Sequence, residues 1–332
     1  MTTPLSESTT QPAQIDWSAL SPNPSEYVPV PHRPSKKSLA LAIALFFVTL
    51  CTCLVAGTQF AVSFSRGQVA SVDEFLHDFT LLYRHPSALA SGLSFALTLL
   101  TILLAHELGH FFACRYHHIR ATYPFFIPFP SFIGTFGAFI LMRSPIRTNR
   151  ALFDVGASGP LVGFVFAVPA LLYGVLHSKI VLELANPNLA NNDVLFGAPL
   201  LLRLLDALFH PGVNPNLLLL PPVGRAAWVG LFATSLNLLP TGQLDGGHIL
   251  RSISPRAHKY LSWLLPALLV ALGFFGHWPG WYVWAVLLLG VRFLRVPPVY
   301  DPVPLDPNRL FGAFLTLLVF LLTFMPAPIL TP

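Results

Sequence analysis

Charge is the scarcest commodity in this 332-residue chain: Asp, Glu, Lys and Arg make up 10% of it, against 54% hydrophobic residues and a mean hydropathy of +0.65. Soluble domains carry roughly a quarter charged residues, so the shortage excludes an ordinary soluble protein and points to a polytopic membrane protein. Cysteine is also sparse. Cys51, Cys53 and Cys114 lie in or beside apolar stretches without any pairing pattern, which argues against a disulfide framework and against a thiolate metal centre. Acidic residues number 14 against 19 Lys and Arg, a net charge of +5. This excess does not imply nucleic acid, because the basic residues gather at the ends of apolar segments, where membrane topology requires them. Internal repeat symmetry, which a transporter with broken helices would show, is missing as well.

What is present is a succession of apolar segments, near 38–58, 88–114, 152–177, 224–252, 258–275, 280–292 and 309–326. They predict an all-α polytopic membrane protein with about six or seven transmembrane helices. Residues 59–87 read as a mildly amphipathic outer segment, and Val194–Phe209 as a short amphipathic stretch in the loop between the third and fourth helices. Between the second and third helices, 115–151 lacks helical period. It carries Pro124, Pro128, Pro130 and Pro145 among aromatic and β-branched residues, with Gly134 and Gly137 between. The pattern predicts a membrane-dipping β-hairpin segment, tolerable at that depth only against protein or water. Three regions follow: 1–37 as a disordered cytosolic tail, 38–292 as a membrane-embedded domain with its core at 88–253, and 293–332 as a Pro-rich loop with a C-terminal transmembrane helix. With the N-terminus inside, only Arg66, Arg84, Lys179, Arg203 and Arg225 of the 19 Lys and Arg fall outside. The positive-inside rule therefore favours a cytosolic N-terminus.

The chemistry stands out against this background. From Leu89 to Ala113 the only ionisable residues are His106, Glu107 and His110. Charged and imidazole side chains within a membrane helix are costly and mark function. Residues four apart lie about 40° apart around a helix, so His106 and His110 share a face. Two imidazoles with an adjacent Glu supply two ligands and a general base for a zinc hydrolase. A tetrahedral zinc then lacks one protein ligand, with the fourth position kept for water. Asp245 meets that need, in Asn237-Leu238-Leu239-Pro240-Thr241-Gly242-Gln243-Leu244-Asp245-Gly246-Gly247. Pro240, Gly242, Gly246 and Gly247 break the apolar helix there, and backbone freed at membrane depth must face protein or a wet cavity.

His-Glu-x-x-His on one membrane segment with Asn-x-x-Pro-x-x-x-Leu-Asp-Gly on a later one resembles the site-2 protease family of intramembrane zinc metalloproteases. Gly134–Gly163 is similar to a bacterial and chloroplast branch of that family, here without a soluble sensor domain. The resemblance implies a zinc endopeptidase that cuts a transmembrane segment of a membrane-protein substrate near the cytosolic face, in regulated intramembrane proteolysis. It makes 38–292 a protease domain and implies about one Zn2+ per chain, with His106, His110 and Asp245 as ligands and Glu107 as the base. It implies Asn237 as the oxyanion partner, and substrate pairing by strand addition along Gly134–Met142, with Gly134 and Gly137 as substrate-binding positions. The expected location is a bacterial plasma membrane, with the lipid bilayer and the substrate as partners. Oligomeric state is open. The competing readings are a catalytically inactive membrane chaperone or adaptor of the same fold, and a His-box membrane di-iron oxygenase. His106, His110, His117, His118 and His248 are too few donors for the latter. Gly156, Gly159 and Gly163 read as small-residue packing positions.

Overall fold

The computed structural model describes residues 36–69, 86–181, 195–275, 278–292 and 303–330. The N-terminal tail lies outside them, and so does most of the Pro-rich loop. In chain order, helix α1 (Lys36–Arg66) is followed by a 3-10 helix (Pro86–Gly92) that leads into α2 (Leu93–Tyr116). Strands β1 (Phe125–Pro128) and β2 (Thr135–Phe139) precede α3 (Asn149–Leu176). Then come β3 (Lys179–Ile180), β4 (Leu195–Phe196), α4 (Leu200–Phe209) and β5 (Leu218–Leu219). Helices α5 (Pro222–Asn237), α6 (Asp245–Ile253), α7 (Pro255–Phe275), α8 (Gly280–Arg292) and α9 (Pro307–Thr323) and strand β6 (Ile329–Leu330) complete the chain.

The molecule is therefore mainly helical. Among the described residues, four segments are long and apolar enough to cross a membrane: α1, Ser87–Tyr116, α3 and α7. Gly280–Gly290 and α9 are apolar but shorter. One boundary differs from the sequence expectation. Helix α1 continues to Arg66 instead of ending near 58, because Thr58, Gln59 and Ser63 are buried against protein rather than turned to an apolar surround. The break expected within 224–252 falls at 238–244, between α5 and α6. Gly242 takes a φ of +57° in that gap, a conformation that suits a residue without Cβ. The expected outer segment at 59–87 otherwise lies largely outside the described residues.

Helices α2, α3 and α5 form the centre. Their backbones approach closely because glycines face the contacts. A Cβ on Gly109 of α2 would lie 2.6 Å from the Ser158 carbonyl of α3, and one on Gly230 of α5 would meet Ile102 of α2 at 2.7 Å. Leu99, Ile102, Leu171, Trp228 and Leu231 fill the core between them. Helix α1 packs on the outer flank, where Thr52 Oγ1 donates to the Gly134 carbonyl at 2.6 Å and so ties α1 to the strand pair. Strands β1 and β2 pair antiparallel, Phe125 opposite Phe139 and Ile127 opposite Gly137. Their irregularity falls at Pro128, a residue that cannot donate to the ladder. Helix α3 starts with a Thr148 side chain accepting from the Ala151 amide at 3.1 Å, which satisfies one of the orphan donors of its first turn.

Candidate metal centre

Helix α2 presents His106 and His110 one turn apart toward the first turn of α6, where Asp245 begins the helix. The three donor atoms converge. His106 Nε2 lies 3.2 Å from Asp245 Oδ2, His110 Nε2 lies 3.3 Å from it, and the two Nε2 atoms are 3.1 Å apart. Zinc bonds of about 2.0–2.1 Å at tetrahedral angles place neighbouring donors about 3.3–3.4 Å apart. The cluster therefore has the dimensions and the nitrogen-and-oxygen donor set that zinc requires. His106, Glu107 and His110 are each at most 6% exposed.

A backbone carbonyl sets the tautomer of one ligand. His110 Nδ1 is 2.6 Å from the Val155 oxygen of α3. A carbonyl only accepts, so Nδ1–H donates and Nε2 is left free to ligate, the arrangement usual for metal-bound imidazoles. The room for this ring comes from α3. A Cβ on Gly159 would collide with the His110 imidazole, and one on Gly163 would come within 3.1 Å of His106 Cβ. On the same face, a Cβ on Gly156 would lie 2.9 Å from His248 Cβ and 3.0 Å from the Asp245 carbonyl. These glycines do pack, as their spacing suggests, but what they pack against is His106, His110 and the first turn of α6.

A cavity of about 190 Å³ opens at the cluster, bordered by Glu107, Asn237, Gln243 and His248 and by Ala138, Phe139, Ile140 and Met142. The Ile140 amide faces the Glu107 carboxylate. Asn237, the last residue of α5, places Nδ2 3.2 Å from His106 Nε2. Thus His106, Glu107, His110, Asn237 and Asp245, spread over α2, α5 and α6, meet at one cavity, with the end of the strand pair as its fourth wall. Gly134 and Gly137 are placed differently. Gly134 sits in the strand connection against α1, where a Cβ would be 2.6 Å from Cys53 Cα, and Gly137 lies within β2 with open space beside it.

Sequence reasoning passed over Asp154 and Val155. Asp154 of α3 binds Arg309 of α9 and His117 at the end of α2. Its signal was available, since an aspartate near the start of an apolar segment deserved the scrutiny given to Glu107. Beside it, Arg309 also pairs with Asp306. Asp306 caps α9 by accepting from the Arg309 amide at 3.1 Å, and hydrogen bonds from Arg309 hold its carboxyl below the ordinary range. Among the described residues, His106, His110 and Asp245 are the one group of three or more such side chains arranged to hold a metal.

Comparison with known proteins places the chain in a family. Residues 94–272 match Peptidase family M50. The chain is similar to the probable zinc metalloprotease EGY1, chloroplastic, of Oryza sativa subsp. japonica, with 34% identity over 48% of this chain and 28% of the relative. The probable zinc metalloprotease EGY2, chloroplastic, is 31% identical in Oryza sativa subsp. indica, over 72% of this chain and 44% of the relative. Its Arabidopsis thaliana counterpart is 30% identical over 72% of this chain and 43% of the relative. The chain thus spans less than half the length of these relatives. No solved structure matches.

Proposed function

Given that the chain belongs to peptidase family M50, the site-2 proteases, we propose that it is a zinc endopeptidase hydrolysing a peptide bond within the transmembrane segment of another membrane protein. The convergence of His106, His110 and Asp245 on one point, with Glu107 beside it, carries the reading. Zinc, when bound, supplies a Lewis acid that makes water acidic enough to yield a nucleophile near neutral pH. Glu107 takes a proton from the attacking water onto a carboxylate oxygen and returns it to the departing amide nitrogen, a role worth about 10²–10⁴-fold. Asn237 donates from Nδ2 to the carbonyl oxygen as it gains charge. The substrate, unwound from its helix, lies as a strand along β2, which among the described residues pairs with β1 alone. In this reading Gly134 holds the hairpin on α1, Gly137 leaves the substrate edge uncluttered, and the hairpin dips into the membrane.

The same reading gives about six or seven spans, with α5–α6, α8 and α9 joining the four long segments. It puts 38–292 forward as the protease domain and 1–37 as a cytosolic tail, with the N-terminus on the Lys- and Arg-rich inner face. The relatives are named zinc metalloproteases of chloroplasts, which supports both the activity and a membrane of that lineage. The intact Glu107 and ligand set weigh against an inactive adaptor. Among the described residues, His106, His110 and Asp245 are the one group of three or more such side chains that could hold a metal, which leaves a di-iron centre short of donors. The deciding experiment incubates the purified full chain with membrane-protein fragments in detergent. Cleavage within an apolar segment, absent in Glu107→Gln, is the expected result; cleavage equal in both proteins would reject the reading.

A further inference from the structure

A second cavity, of about 310 Å³, lies next to the metal centre and is not part of it. It falls at the lower end of the range of ligand pockets, about 300–1,000 Å³. Its walls come from the elements that build the catalytic cavity, at adjoining positions. Leu103 is one turn before Glu107 on α2, Leu236 precedes Asn237 on α5, and Gly137 precedes Ala138 on β2. Aromatic rings close the remaining sides, Phe132 and Phe136 from the hairpin, Phe232 from α5 and Trp284 from α8. The Thr135 hydroxyl in the wall is engaged, donating to the Ile127 carbonyl at 2.8 Å. The mouth lies on the hairpin side. Phe136 is 66% exposed, and Gly137, with a φ of +108°, would point a Cβ into space with nothing within 4 Å.

From these shared elements we infer that the chamber is a specificity subsite, receiving one large apolar side chain, aromatic or branched aliphatic, of the segment that the metal centre cleaves. The inference rests on the proposed proteolysis. An extended chain advances about 3.3 Å per residue and alternates its side chains. A substrate strand running along β2 from Ile140 toward Phe136 therefore brings a side chain to the chamber about two to four residues from the scissile bond. Burying an aromatic ring there removes a large apolar area from contact with anything polar, and hydrophobic pockets of this kind discriminate between side chains by about 10–200-fold.

The test uses the full chain in micelles, as Glu107→Gln, with a set of apolar transmembrane peptides carrying a single bromophenylalanine at successive positions. Bromine quenches tryptophan fluorescence at contact, and Trp228, Trp278 and Trp284 line the chamber. Quenching is expected to peak at one position, a few residues from the bond that the unsubstituted enzyme cuts. Ala233→Phe, which fills the chamber from α5, should weaken binding of that peptide about tenfold or more and leave its alanine counterpart within about twofold. Phe136→Ala, at an exposed wall position, should shift the preference toward bulkier side chains. Position-independent quenching, equal quenching by brominated phospholipid without peptide, or a preference unmoved by both variants would overturn the subsite. Glu107-dependent cleavage with an unmoved preference rejects the subsite and retains the protease. Position-dependent quenching without any cleavage by the unsubstituted chain rejects the protease and retains a binding site for an apolar segment.

Discussion

Arg309 grips Asp154 through two parallel hydrogen bonds, Nε to Oδ1 at 2.8 Å and Nη2 to Oδ2 at 2.6 Å, and so fastens the start of α9 to α3. The residue after Asp154 is Val155, whose carbonyl orients the candidate metal ligand His110. The clamp therefore acts one residue from the acceptor that fixes a ligand. Partners that orient metal ligands are worth about 10–100-fold in metal affinity when removed. Arg309→Ala is expected to weaken zinc binding within that range, measured by competition with a chelator. Arg309→Lys should recover only part of it, because an ammonium cannot reproduce the forked pair. An affinity unchanged in Arg309→Ala would show that α3 holds Val155 in place without help from α9.

Replacing Glu107 by Gln keeps the size of the side chain and removes its capacity as a base. Cleavage should fall by about 10²–10⁴-fold, with zinc content by elemental analysis unchanged. Loss of the metal along with the activity would instead make Glu107 part of the ligand set.

Asp245→Ala should purify without zinc, since two imidazoles alone leave the tetrahedral set incomplete. Chelation of the unsubstituted protein should lower its thermal midpoint, and added zinc should restore it, because a ligand that binds only the folded state stabilises that state. Asp245→Ala should show neither response. A full complement of zinc in the variant would remove Asp245 from the site.

Asn237→Ala separates catalysis from binding. Removing one donor to a developing oxyanion lowers turnover by about 10²–10³-fold, so kcat should fall by that order while metal content stays constant. A fully active variant would leave Asn237 as packing at the end of α5.

Gly159→Ala tests the steric argument. The added methyl would meet the His110 ring, and overpacking of this kind costs about 1–3 kcal/mol. Zinc occupancy should drop together with the thermal midpoint. Gly290→Ala on α8 adds a methyl to open space, so zinc occupancy in that variant should be untouched.

The grouping of His106, His110 and Asp245 was legible because ionisable side chains in an apolar run have few explanations other than function. The break between α5 and α6 was legible for a similar reason, since Pro240, Gly242 and Gly246 leave a helix little choice; a Cβ on Gly246 would meet the Leu238 carbonyl. The extent of α1 was hidden by its polar residues. Thr58, Gln59 and Ser63 read as an exit from the apolar layer, whereas the fold buries all three against neighbours that sequence does not place. Val155 acts through its carbonyl, which every residue possesses, so no side-chain pattern announces it. The aromatic chamber was equally silent, because its walls come from 103, 132, 136, 232 and 284, positions that meet only in the folded chain.

Gly156, Gly159 and Gly163 make room for His106, His110 and the start of α6 by having nothing to offer them. One consequence concerns inheritance rather than chemistry. A random mutation at a position that faces outward, such as Val165 or Phe166, meets an environment that accepts most apolar replacements. At these three positions every replacement adds atoms where the imidazoles or the α6 backbone already stand. Loss-of-function alleles should therefore concentrate on residues that never touch zinc, water or substrate. A mutational scan would outline the ligand set as a shadow, cast on a neighbouring helix by side chains that cannot be added.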